Sequence, residues 1–103
     1  MIPANVRIFV CADRVDMRRG FDTLVQAARD TMGVDPQQGG LFVFAGKRTT
    51  RLKVVWIDRH RCCLLWIRLH QAVFTLPDAR GNRSVRIDSA QLTQLLEGVP
   101  RSR

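Results

Sequence analysis

Short apolar runs separated by short polar turns fill the segment between residues 41 and 77. The runs are LFVF, LKVVWI, CCLLWIRL and VFTL, and Pro77 closes the series. The connections between them are short enough for hairpins, whereas parallel strands need crossovers of about a dozen residues or more. The pattern therefore predicts that this half of the chain folds as an antiparallel β-meander.

The segment before the meander predicts one strand and one helix. VRIFVCA, residues 6–12, is rich in β-branched and aromatic side chains and is typical of a buried strand. In VDMRRGFDTLVQAARDTM, which follows, Asp13 or Asp16 can cap the helix and Gly33 ends it. Apolar residues at three- and four-residue steps form one stripe of this helix: Met17, Phe21, Leu24, Val25, Ala28 and Met32.

The segment after the meander predicts a possible short strand at SVRI and a short C-terminal helix in DSAQLTQLLEG. Asp88 and Gln91 form a variant of the capping box, and Gly98 ends the helix. The fold class is therefore α+β, a small single domain with an antiparallel β-meander, a long helix in the N-terminal half and a short C-terminal helix. We expect the domain to cover residues 1–98 and residues 99–103 to form a frayed basic tail.

Charge is the strongest compositional signal. The 103 residues hold 17 Lys and Arg against nine Asp and Glu, a formal net charge of +8, which predicts a polyanionic partner. The length permits one modest core. Three cysteines, an odd number, do not make a disulfide scaffold and indicate a reducing compartment. No run of 18 apolar residues is present, so we expect a cytoplasmic protein that is not membrane-bound.

A group of seven cations lies between residues 47 and 68 and is opposed only by Asp58. Each could merely keep a turn soluble, but an excess of this size favours contact with phosphates. The turns at 45–51 and 58–61 lie at opposite ends of a meander, so two basic rims are possible. The predicted DNA-binding residues are Lys47, Arg48, Arg51, Lys53, Arg59, Arg61 and Arg68.

Other chemistries are poorly supported. A phosphate-binding loop needs glycine where Leu41 stands and Ser or Thr where Arg48 stands. His60, Cys62, Cys63 and His70 lie close in sequence but include no CxxC pair, so we expect no metal site, no cofactor and no catalytic residue.

The two tryptophans could stack on bases, as in sheet-based binders of single strands. Alternation instead places Leu52, Val54 and Trp56 on one face of a strand, and likewise Cys62, Leu64 and Trp66. The prediction is that both tryptophans belong to the core.

The stretches VDMRRGFDTL, LFVFAGKR, LKVVWID and QLLEGV resemble the TnpB-type accessory protein, the second open reading frame of the bacterial insertion-sequence family numbered sixty-six. The likeness runs from about Ile2 to Gly98. The family has glycines where this chain has Arg59 and Arg61, and a C-terminal tryptophan motif where it has VPRSR. Positions that match the family pattern include Asp16, Met17, Arg18, Gly20, Phe21, Asp35, Pro36, Gly39, Gly46, Lys53, Trp56, Asp58, Arg68, Leu69 and Pro77.

The resemblance implies a role in transposition beside a separate transposase and a second small accessory protein. With the charge, it predicts a non-catalytic accessory protein that binds DNA through basic hairpin turns, with element ends as the candidate target. The alternative is a protein–protein adaptor that docks the transposase through an exposed strand edge or through Arg18 and Arg19, without binding DNA directly.

Overall fold

Seven strands and two α-helices make up the fold, which the computed structural model describes for residues 5–101. A π-helical turn, Ala28–Met32, continues the first helix, and a 3₁₀ turn spans Pro36–Gln38. In chain order the elements are β1 (Ile8–Cys11), α1 (Phe21–Ala27), β2 (Leu41–Ala45), β3 (Arg51–Asp58), β4 (Arg61–Arg68), β5 (Ala72–Val73), β6 (Ser84–Ile87), α2 (Ser89–Glu97) and β7 (Val99–Pro100).

Five strands form one sheet in the order β4-β3-β2-β1-β6. The pairs β2–β3 and β3–β4 are antiparallel, which confirms the predicted meander for these strands. Strand β1 pairs in parallel with β2, across the crossover that contains α1, and antiparallel with β6. The strands predicted at residues 6–12 and at SVRI are therefore present, and the fold class is α+β as predicted.

Two predictions at the C-terminal end were wrong. The run VFTL does not extend the meander, because only Ala72–Val73 is a strand and it pairs with β7 in a separate two-stranded sheet. Val99–Pro100 is that partner, and the Arg101 amide donates to the carbonyl of Gln71 at 2.9 Å, so the segment predicted to fray is paired as far as residue 101. Residues 102–103 lie outside the described part.

The sheet has a core on each face because its central strands are apolar on both sides. One cluster includes Val43, Leu52, Val54 and Trp56 and packs against helix α2 through Leu92 and Leu95 and against Phe74. The other includes Phe42, Phe44 and Val55 and packs against Leu24, Val25 and Ala28. We call these the α2 face and the α1 face of the sheet.

Helix α1 begins later than the sequence predicts. Its N-cap is Gly20, with no side-chain cap, so neither Asp13 nor Asp16 caps it. The Asp16 carboxylate instead accepts a hydrogen bond from the Arg18 amide at 2.9 Å, which closes a local turn before the helix. The apolar stripe does pack on the α1 face, and Gly33 ends the helical segment in the left-handed conformation, both as predicted.

Helix α2 agrees with its sequence signals. The Asp88 carboxylate accepts from the Gln91 amide, and the Gln91 side chain accepts from the Asp88 amide, both at 2.8 Å, which makes a full capping box. Gly98 follows the helix with φ of 74°. The positive φ favours glycine, and an added Cβ there would also lie 3.0 Å from the Val73 carbonyl oxygen and displace the end of the Leu69 side chain.

Candidate nucleic-acid interface

A groove of about 640 Å³ lies on the α1 face, beside the helix and over strands β3 and β4. The segment before α1 forms one wall, the β2–β3 turn closes one end, and the hairpin of strands β3 and β4 forms the floor. We call it the basic groove. Its lining residues are Val15, Asp16, Met17, Arg18, Lys47, Arg48, Arg51, Lys53, Leu64 and Trp66.

The wall is held in place by backbone pairing and by one tight contact. The Val15 amide donates to the Ala45 carbonyl at 2.9 Å, and Val15 bridges to Gly46 in parallel. Met17 lies against Gly46, where an added Cβ would come within 2.5 Å of the Met17 Cγ. A residue with a Cβ at position 46 would have to displace Met17. The absence of a side chain at Gly46 therefore lets the wall lie against the start of the β2–β3 turn.

Two further hydrogen bonds tie cations to this framework. The Arg14 guanidinium donates to the Gly46 carbonyl at 2.9 Å, and Lys53 Nζ donates to the Arg19 carbonyl at 2.7 Å. The second bond reaches from the floor across to the wall. Lys53 retains two further donor hydrogens, because an ammonium group carries three.

Cations dominate the groove. Among the described residues that line it, Asp16 is the only acid, against five cations. Arg18 donates to both Asp16 oxygens, at 2.6–3.1 Å, and this ion pair lowers the pKa of Asp16 well below its usual range and raises that of Arg18. The carboxylate is thus neutralised by its neighbour, and the remaining four cations are not balanced within the groove.

The floor also carries exposed apolar side chains. Trp66 is 51% exposed and Leu64 is 37% exposed, and with Val99 they are the large hydrophobic residues exposed among residues 5–101. Trp66 stands directly opposite Lys53 in the β3–β4 register. The prediction that Trp66 belongs to the core was therefore wrong, whereas Trp56, which is 4% exposed, is a core residue as predicted.

The seven predicted DNA-binding residues separate into two groups. Lys47, Arg48, Arg51 and Lys53 line the basic groove. Arg68 is exposed, pairs opposite Arg51 and shares the face of Trp66, next to the groove. Arg59 and Arg61 lie at the other end of the hairpin, beyond the groove.

The far group has its own acid. Arg61 forms an ion pair with Asp58 across the β3–β4 turn, and Arg59 occupies the left-handed region with φ of 56° in that turn. The two ends of the hairpin thus differ in local charge. The end at the β2–β3 turn combines its cations with an apolar floor. At the β3–β4 turn, Asp58 partly compensates the positive charge.

Sequence reasoning missed Arg18, Leu64 and Trp66 as part of one surface with the basic turn. From the sequence, Arg18 is expected only on the alternative docking surface. Alternation along β4 already placed Leu64 and Trp66 on the face opposite Cys63, Leu65 and Ile67. The pattern could not show which of these two apolar faces is uncovered.

The histidines and cysteines are dispersed. His60 and His70 lie at opposite ends of β4, Cys62 is exposed, and Cys11 is buried on the α1 face, where burial raises the pKa of its thiol. Within residues 5–101 no three His, Cys, Asp or Glu side chains are grouped closely enough to hold a metal ion.

The α+β fold and the basic groove on its five-stranded sheet define a small cationic domain. Comparison with known proteins gives its family. Residues 6–103 match the family described as IS66 Orf2-like protein. Two relatives come from Sinorhizobium fredii (strain NBRC 101917 / NGR234). The uncharacterized protein y4hO is 38% identical over 96% of this chain and 87% of its own length, and the uncharacterized protein y4jC is 29% identical over 92% and 80%. No solved structure matches.

The chain belongs to the IS66 Orf2-like family, as its resemblance indicated. Membership in this family indicates an accessory protein of an insertion sequence. In the described part of the chain, none of the helices combines the length and the apolar character that crossing a bilayer requires.

Proposed function

We propose that this protein is a non-catalytic accessory factor that binds DNA during transposition, with the basic groove as its contact surface. The observation that carries the proposal is the convergence of Lys47, Arg48, Arg51 and Lys53 beside a single acid that Arg18 already pairs. Phosphate contacts require cations within reach and little further geometry. They supply affinity and position on DNA without reading its sequence.

The exposed state of these side chains fits the role. Lys47 and Arg48 are exposed at the β2–β3 turn, so they can meet a phosphate without rearranging the core. Arg51 is half-buried, and its Nε has no hydrogen-bond partner in the described part of the chain. That Nε is enclosed by the protein, so Arg51 supports the proposal through its charge within the groove and not through this donor.

The test is the salt dependence of duplex binding, measured by gel shift or fluorescence anisotropy with element-end and random sequences. Each lost phosphate contact should reduce the slope of log affinity against log salt by about one. Replacing Lys47, Arg48 and Arg51 with alanine should flatten the slope by roughly two to three and weaken binding on both sequences alike.

The hairpin itself offers a matched control. Lys47→Ala/Arg48→Ala and Arg59→Ala/Arg61→Ala each remove two exposed turn cations, one pair at each end of β3. The first pair should reduce the slope by about two, and the second should leave it nearly unchanged. Equal losses from both pairs would show that DNA is held by net charge and not by the groove.

A gain-of-binding variant completes the test. Asp16→Asn keeps an oxygen for the Arg18 amide but removes the charge that occupies the Arg18 guanidinium. Arg18 then becomes available to a phosphate, so duplex binding should tighten and its salt slope should steepen by up to about one.

The second candidate is an adaptor that docks the transposase. One observation favours it: β4 is an edge strand of the five-stranded sheet, and exposed edges pair with other chains. A protein that binds no duplex at low salt but co-elutes with the purified transposase of its element would establish the adaptor and overturn the DNA-binding proposal.

A further inference from the structure

Trp66 lies in the basic groove but has no role in the proposed phosphate contacts, which are made by cations. The residue is 51% exposed on the floor of the basic groove, two residues along β4 from exposed Leu64. Large apolar side chains are normally buried, and the described residues leave about half of this one uncovered. The groove therefore presents a flat apolar surface in the middle of its cations.

Cations surround this indole at short range. Lys53 is its direct cross-strand partner, and the pair formed by Arg51 and Arg68 lies two positions further along both strands. Directly paired side chains are about 5 Å apart at Cβ, and diagonal neighbours are about 7–8 Å apart. A ligand that covers the indole is thus within reach of several cations at once.

A nucleotide combines the two features that this surface matches, a planar apolar ring and an attached anion. The groove volume of about 640 Å³ is in the range that small ligands occupy. In regular duplex DNA the faces of the bases are covered by their neighbours, so the indole could stack only on a base that is out of the helix.

We infer that the basic groove binds an unpaired segment of DNA, with Trp66 stacked on one base and the surrounding cations on the flanking phosphates. The inference rests on the proposed DNA-binding function and refines its substrate. Such a site would recognise melted, frayed or single-stranded DNA in preference to intact duplex. Because every base has a π-face, stacking here gives little sequence preference.

The experiment compares an unstructured oligothymidylate of about ten nucleotides, within the usual site size of single-strand binders, with duplex DNA of equal length. The parent protein should bind the single strand more tightly. Trp66→Ala should weaken single-strand binding by about five- to 150-fold and change duplex binding much less. Binding should also reduce the quenching of Trp66 fluorescence by acrylamide, because a stacked base would block access to the indole.

Two further variants separate stacking from simple apolar contact. Trp66→Phe retains an aromatic face and should stay near the parent, whereas Trp66→Leu retains apolar bulk without that face and should behave like Trp66→Ala. Val99→Ala removes another side chain that is 51% exposed, in the separate two-stranded sheet, and should have no effect.

The possible failures are distinguishable. Salt-dependent duplex binding that Trp66→Ala leaves intact, with no preference for oligothymidylate, would overturn the unpaired-base site and leave the proposed function standing. Binding of neither nucleic acid would overturn both. Equal competition by polyglutamate would show an acidic protein segment as the occupant and would also overturn the inference.

Discussion

Trp56 and Trp66 lie on adjacent strands of one hairpin and differ more than tenfold in exposure. Trp56 points to the α2 face and is 4% exposed, whereas Trp66 points to the α1 face and is 51% exposed. Both belong to runs that alternate in the same way along β3 and β4. The difference lies in what covers each face of the sheet.

On the α2 face every apolar strand residue is buried or half-buried. Residues of α2 line a groove together with Ile8 of β1 and Ile87 of β6. The segment after β4 brings Leu69, Phe74 and Leu76 onto the same cluster. On the α1 face the short helix covers Phe42, Phe44 and Val55 but leaves the outer part of the hairpin open. A helix of seven residues with one π-helical turn is too short to cover five strands, and the remaining space is the basic groove.

The largest expected effect is that of truncating Trp56, and the same truncation at Trp66 is its comparison. Trp56→Ala should lower the free energy of unfolding by about 3–5 kcal/mol, because it empties a fully packed site. Trp66→Ala should lower it by less than about 1 kcal/mol, because an exposed side chain loses little packing. Urea unfolding followed by circular dichroism measures both, and equal losses would show that Trp66 is buried in solution.

The next effect concerns the wall of the groove. Gly46→Ala should destabilise the fold by about 1–3 kcal/mol, because the new methyl group overlaps Met17. Gly20→Ala is the control for space, since a Cβ there meets nothing within 4 Å. Because Gly20 is the N-cap of α1, where glycine is preferred over alanine, this control should cost up to about 1 kcal/mol.

A double variant sharpens this test. If the Met17 contact causes the loss, Gly46→Ala combined with Met17→Ala should be less destabilised than the sum of the single changes. Simple additivity would show that the overlap is relieved elsewhere and that Met17 and Gly46 do not fix the wall against the β2–β3 turn.

A smaller effect is expected at the helix that covers the α2 face. Asp88→Ala removes the capping box and should cost about 1 kcal/mol, whereas Asp88→Asn keeps an acceptor for the Gln91 amide and should stay close to the parent. Identical losses in both variants would assign the effect to charge instead of the cap.

The smallest effects belong to the exposed turn cations. Lys47→Ala/Arg48→Ala and Arg59→Ala/Arg61→Ala should each change the free energy of unfolding by about 0.5 kcal/mol or less, since exposed charges and the largely exposed Asp58–Arg61 pair contribute little. Thermal melts of the variants used for DNA binding supply this measurement. A larger loss would mean that reduced binding partly reflects reduced folding.

Much of this fold follows from local patterns. Alternation and short turns determined the strands β2, β3 and β4 and their antiparallel pairing, and the spacing from Asp88 to Gln91 determined the cap of α2. These features depend on neighbours in sequence, which a pattern can show. The same logic failed at Asp16, because one carboxylate can serve either a helix cap or a local turn, and Arg18 decides between them.

The candidate site depended on contacts that are distant in sequence. The sequence by itself determined that the chain is strongly cationic, that a basic turn follows Gly46 and that Cys62, Leu64 and Trp66 share one side of their strand. Only the tertiary structure decided that this side is open and that the Asp16–Arg18 segment lies beside it. Alternation specifies which side chains point together, whereas burial depends on where a helix from another part of the chain ends.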